Sequence, residues 1–163
     1  MHFITIGAFS EIYIAEDILN PSNAKVAIKY QNSDFDSSIM KWEGMVMSDL
    51  SEVSTVPRMI YHGHDSGRDY LVMELLTGED MASLRDRCRV GSVRDLIPIE
   101  VCSFLVRQMI NSLKAMHEKG YVHRDVKPSN FVRRSKTSTE FCVIDFGLAK
   151  QVNTFSNYQF FCF

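Results

Sequence analysis

Three oxygen-bearing side chains in the second half of the chain stand at a spacing suited to phosphate and metal chemistry. Asp125 comes first, Asn130 follows it in the same run, and Asp145 heads the later triplet Asp145-Phe146-Gly147. A carboxylate can accept the proton of a hydroxyl. An asparagine and a second aspartate on another turn supply hard oxygen ligands of the kind Mg2+ takes when it is bound to a triphosphate. The first two lie in His123-Arg124-Asp125-Val126-Lys127-Pro128-Ser129-Asn130. Any one of these residues could be a loop polar or a cap. Two motifs in this order at this separation carry the reading.

The elements that must hold these groups follow from hydrophobic periodicity. Early in the chain, FITIG, EIYIAE and KVAIKY read as short strands, the last two punctuated by Asn20, Pro21, Ser22 and Asn23. From about Asp36 to Leu50 the apolar positions Ile39, Met40, Met45, Val46 and Leu50 recur at helical spacing, with Glu43 among them. RMIYHG and DYLVMEL form two more strands around a polar turn, HDSGR. Beyond Gly78, Asp80 to Arg89 is compatible with a helix. Pro98 to Lys119 carries an apolar stripe of Val101, Leu105, Val106, Met109, Ile110, Leu113 and Met116, stopped by Gly120. Two extended runs, NFVRR and EFCVIDF, bracket a turn at Ser135 to Thr139. The fold class is therefore α+β: a strand-rich lobe with one helix, then a mainly helical part.

Composition narrows the alternatives. The 163 residues are 45% hydrophobic and 23% charged, with 18 basic against 20 acidic side chains, which describes a core-forming chain and offers no basic balance for nucleic acid. No apolar run reaches the roughly 20 residues of a membrane span. Cys88, Cys102, Cys142 and Cys162 form no CxxC pair, and no signal-like segment opens the chain, so a reducing, cytoplasmic or nuclear setting is expected. His62 and His64 have the closest approach to zinc-ligand spacing. They are expected to be solvated in a Gly-flanked turn.

The two motifs together resemble the protein kinases. The resemblance implies that Lys29, ending Val26-Ala27-Ile28-Lys29, grips the α and β phosphates of ATP. Its ion-pair partner would be Glu43, with Glu52 as the alternative. Thr5-Ile6-Gly7-Ala8-Phe9-Ser10 would be the phosphate loop, keeping the middle glycine, Gly7, while Thr5 and Ser10 replace the flanking ones. Those replacements are expected to stiffen the loop and weaken nucleotide affinity. Leu71 to Gly78 resembles the hinge, where the backbone around Glu74 and Leu76 would meet adenine and Met73 would line the back. Ile12 and Val132 would sandwich the ring, with Ala27 beside it. Asp145 and Asn130 would hold Mg2+, Asp125 would orient or deprotonate the acceptor, and Arg124 would tie its loop to an activation segment. Lys127 would steady the developing charge and points to Ser or Thr as acceptor.

HRDVKPSNF, YLVMELLTGEDMASLR and VIDFGLAKQV are similar to the casein kinase 1 group, nearest its tau-tubulin kinase branch, over about Ile4 to Val152. Protein substrates, cytoskeletal ones by the branch likeness, are implied. On this reading 1–77 is a small lobe and hinge with its first strand clipped, 78–152 part of a large lobe, and 153–163 a tail without kinase likeness. The tail's aromatics are Phe155, Tyr158, Phe160, Phe161 and Phe163. A two-lobed kinase runs to roughly 250 to 300 residues, so a fragment is expected. Three readings stay open: an active Ser/Thr kinase, an inactive module that binds ATP or a partner, or a product that does not fold alone. Oligomeric state cannot be read from the sequence.

Overall fold

The computed structural model describes residues 2–6, 10–18, 24–32, 37–88 and 97–152. Gly7, the punctuators 20–23, residues 89–96 and the tail 153–163 lie outside the described residues. The first strands form as the periodicity predicts: β1 (His2–Ile6), β2 (Ser10–Glu16) and β3 (Lys25–Gln31), followed by helix α1 (Ser37–Asp49), β4 (Met59–Asp65) and β5 (Arg68–Glu74). The five strands make one antiparallel sheet in the order β1-β2-β3-β5-β4.

Register decides which side chains can meet. Ala27 pairs with Met73 and Lys29 with Leu71, so these four share one face of the sheet. On the opposite face Tyr30 pairs with Tyr70, and a row of rings runs Tyr13, Tyr30, Tyr70, Tyr61 with centroids 6.0, 5.3 and 6.1 Å apart. Cross-strand aromatic pairs of this kind hold neighbouring strands in register.

The β4–β5 connection is tighter than the sequence suggests. Asp65 pairs with Arg68, and the two-residue turn Ser66-Gly67 has φ of 50° and 80°. Positive φ at both positions matches the right-handed twist of a hairpin. His62 and His64 consequently stand in a strand rather than in a turn. They are exposed as expected, and His64 Nδ1 lies 2.7 Å from Asp69 Oδ1.

The second part begins with α2 (Met81–Arg87), whose N-cap Asp80 accepts from the amides of Ala82 and Ser83. Then come α3 (Ile99–Glu118), β6 (Tyr121–Val122), a 3-10 turn (Pro128–Asn130), β7 (Phe131–Arg133), β8 (Phe141–Val143) and β9 (Lys150–Gln151). Gly120, at φ 80°, ends α3 with its amide on the His117 carbonyl. The pairing of β6 with β9 has no signal in the sequence, being two residues long on each side. It brings the chain after Asp145 back to the end of α3.

A continuous buried cluster joins both parts, from Val46, Met47, Leu50 and Leu71 through Met81 and Met116 to Tyr121, Phe131, Phe141, Val143 and Phe146. Each large member contributes roughly 1.5 to 3 kcal/mol of apolar burial. Two stripes need correction. In α1, Met47 is buried and Met45 is 46% exposed. In α3, Leu105 and Met116 are buried whereas Val106 and Ile110 are 52% and 58% exposed. A run of apolar residues wider than one contact face leaves some of them outside.

Candidate functional site

A cleft of about 500 Å³ opens between the sheet and the second part of the chain. Ile12, Ala27, Lys29, Glu43, Met73, Glu74, Leu76, Asn130, Val132 and Asp145 all line it, so the structure gathers nearly every nucleotide-site residue expected from the sequence. Asp125 and Lys127 stand beside it on the loop that leads to Asn130. Gly7 lies outside the described residues.

At one end of the cleft, Lys29 Nζ lies 2.8 and 2.7 Å from the two Glu43 carboxylate oxygens and 3.2 Å from Asp145 Oδ1. Strand β3 supplies the lysine, α1 the glutamate and the segment after β8 the aspartate. Burial works against the lysine's charge, but the two carboxylates outweigh it and hold the ammonium above its ordinary pKa. Glu43 is 3% exposed and Asp145, at 47% for its side chain, faces the opening. Glu52 is removed as a partner: it is surface-exposed and bonded to Lys119 at 2.5 Å.

The loop 123–130 is tied together by short-range bonds. Asn130 Nδ2 donates to both the Asp125 carbonyl and Asp125 Oδ2 at 2.9 Å, and Lys127 Nζ donates to Asp125 Oδ2 at 2.6 Å. The Lys127 ammonium, helped by Asn130, draws the Asp125 pKa below its ordinary value against the pull of burial. Asp125 in turn raises the pKa of Lys127. Asp125 is thus a carboxylate at neutral pH with one flank occupied and its remaining oxygen available.

Two residues that sequence reasoning quoted but gave no positioning role do much of the placing. His123, 1% exposed, contacts the Ile144 carbonyl through Nε2 at 3.0 Å and accepts from the Asp125 amide through Nδ1 at 3.2 Å, so one imidazole couples the Asp125 and Asp145 segments. Phe146, also 1% exposed, lies against it with ring centroids 5.7 Å apart. Arg124 and Asp145 adopt φ of 66° and 69°, an uncommon region for non-glycine residues that surrounding contacts must maintain. For Arg124 that contact is Nε to the Leu148 carbonyl at 2.6 Å, on the segment after Gly147.

At the other end, the segment after β5 lies against β7, joined by an isolated bridge between Asp80 and Val132. Thr77 and Gly78 donate backbone bonds to the Arg134 and Arg133 carbonyls, both at 3.1 Å, and Arg133 donates back to the Glu79 carbonyl at 3.0 Å. A Cβ at Gly78 would stand 2.4 Å from the Arg133 carbonyl oxygen, which explains glycine there. In the sequence Gly78 stands as the end of the hinge-like segment and as a boundary, with no sign of this close approach. Ser83 and Asp80 also line this end, where the sequence pattern marks Asp80 only as the start of a helix.

The donor set fits Mg2+ as that ion is usually held, through one or two protein oxygens plus phosphates. Asp145 offers a carboxylate at the opening. Asn130, whose amide nitrogen is occupied by Asp125, keeps its carbonyl oxygen. Among the described residues no group of three or more His, Cys, Asp or Glu could hold a metal without such phosphates.

The whole sequence, residues 1–163, matches the protein kinase domain family. A probable serine/threonine-protein kinase of Dictyostelium discoideum is 39% identical over 150 residues, covering 89% of this chain and 28% of that protein. Casein kinase I homolog 3 of Schizosaccharomyces pombe is 29% identical over 148 residues, covering 89% of this chain and 32% of that protein. The chain spans about a third or less of the length of these relatives. A strand lysine held by a helix glutamate, joined to the aspartate of Asp-Phe-Gly across a cleft, agrees with that match over the full sequence: the chain belongs to the protein kinase family.

Proposed function

We propose that the chain is the nucleotide-binding and catalytic-loop portion of an ATP-dependent protein serine/threonine kinase of the casein kinase 1 group, nearest the tau-tubulin kinase branch. The observation that carries the reading is Lys29 bridging Glu43 and Asp145, because it holds a cation where a triphosphate would lie and a solvent-exposed carboxylate beside it. Lys29 would position the phosphates and Glu43 would aim Lys29. Asp145 and Asn130 would hold Mg2+, which when bound offsets the charge on the phosphates. Asp125, already ionised, would orient the acceptor hydroxyl and receive its proton, while Lys127 would stand near the transferred group. Glu74 and Leu76 would present backbone groups to adenine between Ile12, Ala27 and Val132, in front of Met73. The branch likeness suggests cytoskeletal protein substrates.

A second reading, nucleotide binding without transfer, is favoured by the exposed apolar residues of α3, where Ile99 is 69% exposed beside Val106 and Ile110. One experiment addresses both. A thermal melt of the chain with Mg-ATP at about 100 times Kd should rise by the equivalent of roughly 2.7 kcal/mol, and Lys29→Ala should abolish the rise. Incubation with labelled ATP and a Ser/Thr-rich protein then separates the readings. Transfer that Asp125→Asn abolishes, with the melt response retained, supports the kinase. A melt response without transfer supports the second reading, and no response in wild type refutes both.

A further inference from the structure

We infer that Arg134 is a positioning residue for the adenine end of the cleft, an inference that rests on the nucleotide reading above. Arg134 follows β7 and reaches three separate segments. Nη1 donates to Glu74 Oε1, Nη2 to the Ser54 carbonyl on the connection between α1 and β4, and Nε lies 3.4 Å from Glu140 Oε2 beside β8. Its backbone is engaged as well: the amide donates to the Glu140 carbonyl at 2.9 Å and the carbonyl accepts from Thr77 at 3.1 Å. The side chain is 28% exposed, so these charge-assisted bonds are partly shielded from water.

Glu74 is the receiving end. Its Oε2 accepts from the Arg58 amide at 3.2 Å, and its own amide donates to the Arg58 carbonyl at 2.9 Å. One carboxylate oxygen is thus bound to the sheet side of the molecule and the other to Arg134 on the opposite side. Residues 74–76, which line the cleft, lie between this pin and a second one at Gly78, Glu79 and Arg133, where Arg133 Nη2 meets Glu79 Oε1 at 2.8 Å. Among the described residues, the Arg134 side-chain bonds all lie away from the phosphate end. Its guanidinium sets the rotation of the Glu74 peptide, and with it the direction of the backbone groups offered to a planar base. A lysine in its place has one nitrogen centre and cannot meet several acceptors in a fixed fork.

The test separates the two ends of the cleft with probes that occupy one each. Calorimetry on the full chain would use adenosine, Mg-tripolyphosphate and Mg-ATP. Arg134→Met should weaken adenosine and Mg-ATP by about tenfold, the loss expected for one charge-assisted hydrogen bond, and leave tripolyphosphate within about twofold. Arg134→Lys should recover part of the loss. Lys29→Ala should give the reverse pattern, losing tripolyphosphate and keeping adenosine. If Arg134→Met does not fold, Glu74→Gln, which keeps the acceptor for the Arg58 amide, carries the same expectation. Unchanged adenosine affinity, or equal losses for adenosine and tripolyphosphate, would overturn the inference and leave the nucleotide reading standing. A wild-type chain that binds none of the three probes would overturn both.

Discussion

The sheet-bearing part and the helical part of this chain meet along two seams of opposite character. In front, across the cleft, they are joined by charge: Lys29 to Asp145 at 3.2 Å, with Glu43 behind the lysine and Asp145 open to solvent. At the back they are joined by buried or half-buried neutral donors and by packing. Trp42 Nε1 donates to the Ala149 carbonyl at 2.9 Å, the Val143 amide to the Thr55 carbonyl at 2.8 Å, and the Tyr121 hydroxyl to Asp49 Oδ2 at 2.5 Å. A front seam made of ions can exchange its partners for phosphate and metal without losing the fold. A back seam made of core contacts cannot open without cost. The division lets the site be polar and accessible while its geometry is set from behind.

The largest way to break this comparison is to empty the back seam while leaving every ion in front. Phe146→Ala removes a side chain that is 1% exposed and packs against His123, and should destabilise the chain by about 3 to 5 kcal/mol in urea unfolding. The nucleotide-dependent rise in melting temperature should shrink as well, because His123 couples the Asp125 and Ile144 segments. A loss below about 1 kcal/mol would mean that the front ions hold the seam.

A smaller and pH-resolved test lies at Tyr121. Burial and then the bond to the Asp49 carboxylate push its phenol up to about 12. The folded value lies above the ordinary value near 10, so the stabilisation belongs to the protonated phenol. It is fully present below pH 10 and is lost as pH rises from about 10 to about 12. Tyr121→Phe should therefore cost about 1 kcal/mol at pH 7, since Asp49 is exposed and regains water, and the gap between the two proteins should close above pH 10. A gap that stays constant through pH 11 would show that the hydroxyl contributes nothing.

The two seams also differ in how far the sequence revealed them. The front was legible residue by residue: Asn130 and Asp145 stand in short motifs, the kinase resemblance points to Lys29 and to Glu43 over Glu52, and Lys29, Glu43, Asn130 and Asp145 all line the cleft. A motif is a short local pattern, and chemistry demands particular side chains at such places. The strands and helices were legible for the same reason, since alternation and helical spacing are local signals. The back was not. Trp42 meets Ala149 across 107 positions and Tyr121 meets Asp49 across 72, and no periodicity links residues so far apart. The charged pair Arg134–Glu74 at the adenine end of the cleft, 60 positions apart, was illegible for the same reason. The pairing of β6 with β9 failed to register because two-residue strands have no pattern to read. In α1 and α3 the periods were right but the faces were not fully resolved. Met45, Val106 and Ile110 are apolar and outward, and spacing alone does not say how wide the buried stripe is.

That outward face of α3 gives the smallest expected effect and sharpens the comparison from a third side. Ile110 is 58% exposed, five residues after Leu105, which is 8% exposed on the same helix. If exposure governs energy here, Ile110→Ser should change unfolding free energy by no more than about 0.5 kcal/mol, whereas Leu105→Ala should cost about 2 to 5 kcal/mol through the cavity it leaves. The measurement is urea unfolding at two protein concentrations a hundredfold apart. Apolar burial is the same physics wherever it happens, so a large cost for Ile110→Ser would require that something cover the residue in solution. If copies of the chain are the cover, the wild-type midpoint rises with concentration and the Ile110→Ser midpoint does not. If neither midpoint moves and the cost stays small, the stability of the helical part comes from its inner stripe and from the back seam alone.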